Sequence, residues 1–305
     1  MKILVTGSSG FAGEILVPKL EKKGFDVIGL DFTPGKFTQI VHDIAKPIQI
    51  ENNTDAIIHL AARLEHDRCT TKEYFDANVK GTENLLEFAK KNNSFFIYVS
   101  TTAIYGSPKS PIDEKTIISP DGDYATTKYE GEKICEKFKT DDLKISIVRP
   151  SVLIGKKRLG IFQIIFKNLF KNSSIPILGN GQNRISFVNI EDFTDFLVFL
   201  TEKKIDGITV NFGGKIPGTL NEVIEELIKF TSSESKILHV SLKLIPFLKF
   251  LAKLKLIPVT PWQLSVMHKD YFYDNTLLDA TGYSYTHEPI DALKDMAVYY
   301  REKNL

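Results

Sequence analysis

The stretch Met1-Lys-Ile-Leu-Val-Thr-Gly-Ser-Ser-Gly-Phe-Ala-Gly13 decides the fold. Ile3, Leu4 and Val5 form an unbroken apolar run, the pattern of a strand buried on both faces. Glycines follow at 7, 10 and 13, and the spacing of Phe11, Ile15, Leu16 and Leu20 predicts a helix. Gly7 allows a sharp turn off the strand. Gly10 lets a ligand approach the backbone closely, and Gly13 lets the helix pack tightly on the sheet. A helix starting here aims free N–H groups and the positive end of its dipole at the turn, which suits a pyrophosphate.

The Gly-x-x-Gly-x-x-Gly spacing is looser than the standard dinucleotide fingerprint, and Pro18 interrupts the helical pattern. An ordinary glycine-rich turn would look the same, so the next elements decide. After Lys22-Lys23-Gly24 comes a second apolar run, Val27-Ile-Gly-Leu30, which ends on Asp31. An acidic residue about twenty positions past the glycines, at the end of the second strand, can bind the adenosine ribose hydroxyls. The same carboxylate would repel a 2′-phosphate, and no arginine follows it closely. The stretch reads as a dinucleotide site that prefers NAD to NADP.

Composition narrows the class. A chain of 305 residues fits one large α/β domain or two unequal lobes. A net charge of +1 gives no reason to expect nucleic acid as a partner. Cys69 and Cys135 form neither a metal-ligand pattern nor a disulfide framework, so no metal and a reducing compartment are expected. The first strand leaves no room for a signal peptide, and no window reaches the roughly 18 apolar residues of a membrane span. The expectation is a soluble, cytoplasmic protein.

Further strand-like runs are Ala56-Ile-Ile-His-Leu60, Phe95-Phe-Ile-Tyr-Val99 and Lys144-Ile-Ser-Ile-Val148, with helical stretches between them. This alternation predicts an α/β fold with a doubly wound parallel sheet, whose ligands sit at the carboxyl ends of the strands. The residues there are small and polar: Asp31, His59-Leu-Ala-Ala62, Ser100-Thr-Thr-Ala-Ile-Tyr-Gly106 and Arg149-Pro-Ser151. Asn78-Val-Lys-Gly-Thr-Glu-Asn84 opens or continues a helix through Leu85, Leu86 and Phe88. Tyr124-Ala-Thr-Thr-Lys128 lies near the start of another, with Tyr124 and Lys128 on one face. A free tyrosine titrates near pH 10, roughly three units too high for acid–base work at neutrality. A neighbouring ammonium favours the phenolate, so Lys128 can make Tyr124 a usable proton donor or acceptor. Alone, the pair could be a surface feature; the turn and the hydroxyl-rich strand end before it give it weight.

Taken in order, these pieces resemble the extended short-chain dehydrogenase/reductases, which include the sugar-nucleotide epimerases and dehydratases. The matching pieces are Gly7/Gly10/Gly13, Asp31, His42-Asp-Ile44, His59-Leu-Ala-Ala62, Asn78-Val-x-Gly-Thr82, Ser100 to Gly106 and Tyr124-x-x-x-Lys128. Arg149-Pro, Arg184-Ile-Ser-Phe-Val-x-Ile-x-Asp192, Asn211-Phe-Gly-Gly214 and Asp279-Ala-x-Gly-Tyr283 follow.

The resemblance implies a Rossmann-type sheet with a smaller, discontinuous C-terminal substrate lobe. Residues 1–155, with a returning segment at about 187–214, would hold NAD; 156–186 and 215–305 would form the lobe. It implies Tyr124 as the catalytic tyrosine, Lys128 as the lysine on the nicotinamide ribose, and Thr101 as the hydroxyl on the substrate oxygen. Phe11 and Ala12 would meet the pyrophosphate through their backbone, and Asp43 and Ile44 the adenine. Leu60, Ala61, Ala62, Asn78, Ser100 and Pro150 would complete the NAD site. Thr102 and Arg184 would touch substrate, and the protein would be a homodimer.

Departures from the family pattern concern the substrate. Val152 stands where many sugar-nucleotide members carry asparagine, and after Arg184 the only arginine is Arg301. Arg184 matches the family's earlier diphosphate arginine, or forms a structural ion pair with Glu191 or Asp192. Thr102-Ala103 follow Thr101 where 4,6-dehydratases carry Asp-Glu, so dehydration is not expected. Cys69 and Cys135 match no acid–base position for inverting a carbon beside a ketone. An NAD-dependent sugar-nucleotide epimerase leads the expectations. A dehydrogenase or reductase of an apolar (steroid- or flavonoid-like) or sugar alcohol is the rival, and a non-enzymatic NAD-binding protein the third reading.

Leu242 to Val259 is apolar but interrupted by Lys243, Lys249, Lys253 and Lys255. Such a helix can lie on a membrane surface, or it can be a core or lid helix whose lysines reach solvent. The lysines share no single polar face, which favours the second reading.

Overall fold

A computed structural model of the chain describes residues 1–50, 53–64, 67, 69–139, 143–254, 256, 257 and 259–304. Strand β1 (Lys2–Thr6) and helix α1 (Gly13–Lys22) form as read, followed by β2 (Asp26–Asp31), a short β3 (Ile40–Val41) and β4 (Ala56–His59). Helix α2 (Thr71–Phe75) passes through a π-helical turn, Asp76–Lys80, into α3 (Gly81–Asn92). Then come β5 (Phe95–Val99), α4 (Asp123–Phe138), β6 (Ile145–Pro150) and β7 (Leu153–Ile154). The rest comprises α5 (Phe162–Phe170), β8 (Ile175–Leu178), β9 (Val188–Asn189), α6 (Ile190–Lys203), β10 (Thr209–Phe212), α7 (Leu220–Thr231) and β11 (Ile237–Val240). It closes with α8 (Ile245–Lys253), α9 (Pro261–Val266), α10 (Thr276–Asp279) and α11 (Pro289–Asn304).

The main sheet runs β10-β6-β5-β4-β1-β2-β3, and every neighbouring pair is parallel. Strand order therefore reverses at β1, and the crevice between the carboxyl ends of β1 and β4 is the switch point. Thr6 pairs with His59 there. The unbroken apolar run of β1 has a simple cause in the strand period of two. Ile3 and Val5 pack with Leu16, Val17 and Phe196 under α1 and α6. Leu4 points the other way, into Leu85, Leu86 and Phe96 below α3. Pro18 lies inside α1, on its exposed side, where it disturbs no packing.

Residues after β9 return to the sheet, since α6 packs on α1 and β10 pairs with β6. A separate core gathers Phe166, Leu169, Ile224, Leu227, Leu293 and Met296 from α5, α7 and α11. The stretch 242–259 differs from the single helix read in the sequence. A 3₁₀ turn, Leu242–Leu244, leads into α8, which starts with Pro246 in its first turn and ends at Lys253. Lys255 lies outside the described residues.

Candidate active site

The glycine turn is built by steric necessity at two of its three glycines. Gly7 has φ +75°, and a Cβ there would sit 2.8 Å from the Ala61 nitrogen. At Gly13 a Cβ would meet the Gly7 carbonyl oxygen at 2.2 Å. Gly10 is different: it is exposed, and its nearest protein neighbour would be 3.2 Å away. That contact is tight but needs a shift of only a few tenths of an ångström, so the protein itself demands glycine less strictly at 10 than at 7 or 13, and the exposed position fits a ligand that must come close to the backbone. Ala12 caps α1 without a side-chain hydrogen bond; the Glu14 N–H donates to the Gly10 carbonyl (3.0 Å) and the Ile15 N–H to the Ala12 carbonyl (3.2 Å), which leaves Phe11, Ala12 and Gly13 to present their N–H groups at the turn.

Asp31 stands at the rim of this turn. Its carboxylate accepts from the Ser9 N–H at 3.0 Å and the Thr33 N–H at 3.2 Å. Asp43 accepts from the Ala45 N–H at 3.0 Å, whereas Ile44 is buried beneath Gly81 of α3. On the far side of the crevice, the Ala61 N–H donates to Thr6 Oγ1 at 3.3 Å, which sets Leu60, Ala61 and Ala62 along its wall. His59 is wedged between Thr6 Oγ1 (2.7 Å) and Thr82 Oγ1 (3.1 Å). Burial, aided by the nearby Lys128 ammonium, holds its pKa well below the usual imidazole value. His59 is thus a neutral clasp joining β1, β4 and α3.

Asn78 occupies the π-helical turn, a feature that often marks functional sites. Its side chain is buried; the amide donates to the Arg63 carbonyl (3.1 Å) and Thr127 Oγ1 (3.0 Å), and accepts from the Arg63 N–H (2.8 Å). It ties the β4 loop to α4 from behind the crevice, and so positions the wall instead of lining it.

Helix α4 carries the expected pair. Tyr124 is half-buried in its first turn and Lys128 is buried one turn later. The Lys128 Nζ sits 4.1 Å from the centre of the Tyr98 ring, and burial pushes its pKa down to about 7. Close approach of α4 to β5 depends on Gly131, where a Cβ would meet the Tyr98 oxygen at 2.2 Å. A buried ion pair fixes the far end of this region: Arg149 donates to both Glu132 oxygens (2.9 and 2.7 Å) and to the Tyr105 hydroxyl (2.7 Å). Tyr105 in turn donates to Asn211 at 2.9 Å. Gly131, Glu132 and Tyr105 were not singled out from sequence; the three-residue step from Lys128 to Gly131 along one helix was the available signal.

Thr101 precedes a 3₁₀ turn, Thr102–Tyr105, that packs against α4, and its hydroxyl accepts from the Ala103 N–H at 3.2 Å. The buried Ser100 hydroxyl has no partner among the described residues, as a group reserved for a polar ligand would. Thr102 is committed elsewhere: it accepts from the Tyr273 hydroxyl at 2.7 Å and donates to the carbonyl of the buried Pro150 at 3.4 Å. Arg184 pairs with neither Glu191 nor Asp192. Its guanidinium meets Asp270 at 3.1 Å and stacks on Phe272, with the side chain half exposed. Glu191 instead holds Lys19, and Asp192 accepts from the Thr286 N–H at 2.8 Å. The two carboxylates nearest in sequence were already occupied by other elements.

Sequence reasoning passed over Arg158. This half-buried residue lies over the Phe11 ring at 5.7 Å and forms no ion pair among the described residues. Burial lowers its pKa, while the adjacent Tyr124 acts in the opposite sense. An arginine without a carboxylate, beside Phe11 of the glycine turn and Tyr124 of α4, is equipped for an anionic ligand. The Lys156-Lys157-Arg158 run after Gly155 was its only trace in the sequence.

A glycine turn at the switch point, facing a helix-borne tyrosine and lysine, defines a dinucleotide-dependent enzyme of the doubly wound α/β class. Residues 3–213 match the family described as the NAD dependent epimerase/dehydratase family, and the chain belongs to that family. Its cofactor is NAD, as the sequence led us to expect. The chain is 29% identical to the uncharacterized UDP-glucose epimerase YtcB of Bacillus subtilis, over 80% of this chain and 86% of that one. It is 26% identical to the N-acetyl-alpha-D-glucosaminyl-diphospho-ditrans,octacis-undecaprenol 4-epimerase of Escherichia coli O157:H7, covering 78% and 74%. The crystal structure of UDP-glucuronic acid 4-epimerase from Bacillus cereus in complex with NAD covers the whole of both chains, with a TM-score of 0.79 and 23% identity. That likeness establishes the fold.

Proposed function

We propose that the protein is an NAD-dependent epimerase of a nucleotide sugar that works by transient oxidation of one carbinol carbon. The observation that carries this is the Tyr124–Lys128 pair on α4, set at the glycine-turn crevice with Thr101-Thr102-Ala103 in place of a carboxylate-bearing segment. When bound, NAD supplies reversible hydride chemistry at that carbon. Every other part falls to the chain. Thr101 holds the alcohol oxygen, and Tyr124 takes its proton and later returns it. Lys128 fixes the nicotinamide ribose and favours the phenolate while it is protonated. Phe11, Ala12 and Asp31 hold the pyrophosphate and ribose, Ser100 supplies its unpartnered hydroxyl, and Arg158 meets negative charge on the ligand.

UDP-sugars are the substrate class to which YtcB and the B. cereus enzyme point by name. Residues 1–155 with 187–214 serve NAD, and 156–186 with 215–305 serve the sugar nucleotide; the separate core of α5, α7 and α11 supports that division. We read the protein as a cytoplasmic homodimer, on the family resemblance. A second reading, a sugar diphosphate carried on a polyprenol, draws on the name of the E. coli relative and on the outward apolar side chains of α8.

The test is nuclear magnetic resonance of a panel of UDP-sugars incubated with the enzyme and substoichiometric NAD. Two epimers should interconvert with no net NADH absorbance. Stoichiometric NADH together with an oxidised product would replace the epimerase reading with a dehydrogenase.

A further inference from the structure

Helix α8 turns apolar side chains in both directions. Ile245, Leu248 and Ala252 face inward, against Leu178 and Leu264. On the opposite side Phe247, Phe250 and Leu254 stand at i, i+3 and i+7, and each is more than half exposed (58%, 57% and 53%). Leu244 just before them and Leu256 just after are exposed as well. A helix on a solvated surface carries polar residues on its outer face, so this one lacks a covering partner.

The charge around it indicates what that partner is. From Ser235 to Lys269 the chain contains no aspartate or glutamate, but carries Lys236, Lys243, Lys249, Lys253, Lys255 and Lys269. Those six charges exceed the whole chain's net +1, so the rest of the molecule sums to 1 − 6 = −5. Lys243 and Lys253 are exposed at the two ends of the apolar strip. A second copy of the same face would bring lysine against lysine, because a two-fold contact pairs a patch with itself. An acidic surface with an apolar layer beneath it satisfies both features at once.

We propose that the outer face of α8 docks on an anionic lipid bilayer, with Phe247, Phe250 and Leu254 entering the headgroup–acyl boundary and the lysines meeting lipid phosphates. Docking is peripheral, since among the described residues no helix is long and apolar enough to cross a membrane. It places the membrane beside the active-site side of the molecule. Helix α8 packs on α9, and Trp262 of α9 donates to the Gly106 carbonyl at 3.3 Å, at the end of the loop that begins with Ser100.

The experiment is flotation of the full chain with vesicles of pure phosphatidylcholine and of phosphatidylcholine containing phosphatidylglycerol. The protein should float with the anionic vesicles and remain at the bottom with the neutral ones, and added salt should weaken the association. Lys243→Glu/Lys253→Glu should reduce binding by about tenfold or more, since each lysine near such a surface contributes several-fold. Phe247→Ser/Phe250→Ser should also lose it, whereas Ile117→Ser, at an exposed apolar residue outside α8, should not. Each variant is first matched to the parent in thermal melting and in turnover of a soluble substrate. Failure of the parent chain to bind anionic vesicles overturns the proposal. So does a concentration-dependent dimer that Phe247→Ser/Phe250→Ser dissociates, which would make the face a contact between copies. Neither result touches the epimerase reading, which is scored on soluble sugar nucleotides.

Discussion

The two sides of the crevice are finished to different degrees. On one side, polar groups are held in place but left open: the Ser100 hydroxyl and the Arg158 guanidinium. On the side expected to meet substrate, Thr102 and Arg184 have already found Tyr273 and Asp270 within the protein. A buried polar group kept without a partner costs stability, so it persists where a ligand completes it. The contrast teaches that matching a family's substrate motif is weaker evidence of contact than an unfilled hydrogen-bonding valence. Arg184 carries the motif; Arg158 carries the open charge.

The largest expected effect is on Tyr124. Tyr124→Phe keeps the ring and removes the hydroxyl proposed for acid–base work, so turnover should fall by about 10²- to 10⁴-fold while NAD affinity, measured by calorimetry, is retained. A variant with full rate would break the comparison at its centre. Next, Arg158→Ala should weaken kcat/KM by about tenfold to a hundredfold, the range for one lost charge-assisted contact. Steady-state kinetics on the same substrate give this directly, and no change would remove Arg158 from the open side.

A smaller effect concerns pH. Burial holds the Lys128 pKa at about 7 in the folded protein, below its ordinary value of 10.5. Between those values the unfolded chain binds more protons than the folded one, so this group makes stability rise with pH across that window. Melting of the ligand-free protein at the two ends of the window should show the rise, and Lys128→Met should flatten it. An equal rise in both proteins would show that Lys128 is not the group responsible. Smallest of all is Arg184→Ala. A half-exposed ion pair contributes about 0–1 kcal/mol, so melting temperature and kcat/KM should barely move. A loss as large as that of Arg158→Ala would return Arg184 to the substrate.

What the sequence disclosed follows the same division. Gly7 and Gly13 were legible because a positive φ and a backbone contact leave glycine as the residue that fits. Strands β1, β4 and β5 were legible because burial on both faces leaves an unbroken apolar run. Strand β10 was not, since Thr209-Val-Asn-Phe212 mixes polar and apolar residues at the sheet edge. The π-helical turn around Asn78 has no periodic signature at all. Side-chain pairs were the least legible: Asp270 lies 86 residues from Arg184, and Tyr273 lies 171 from Thr102. Nothing local marks such partners, whereas Glu191 and Asp192 stood near in the chain and were wrong.

Transient oxidation is the central claim, and an isotope tests it most directly. A sugar nucleotide deuterated at the carbon that inverts is converted in ordinary water, and the product is examined by mass spectrometry and nuclear magnetic resonance. If the hydride leaves that carbon and returns to its other face, the epimer keeps its deuterium at the same position. Replacement of the label by solvent hydrogen during inversion would show a proton-transfer route and contradict the account.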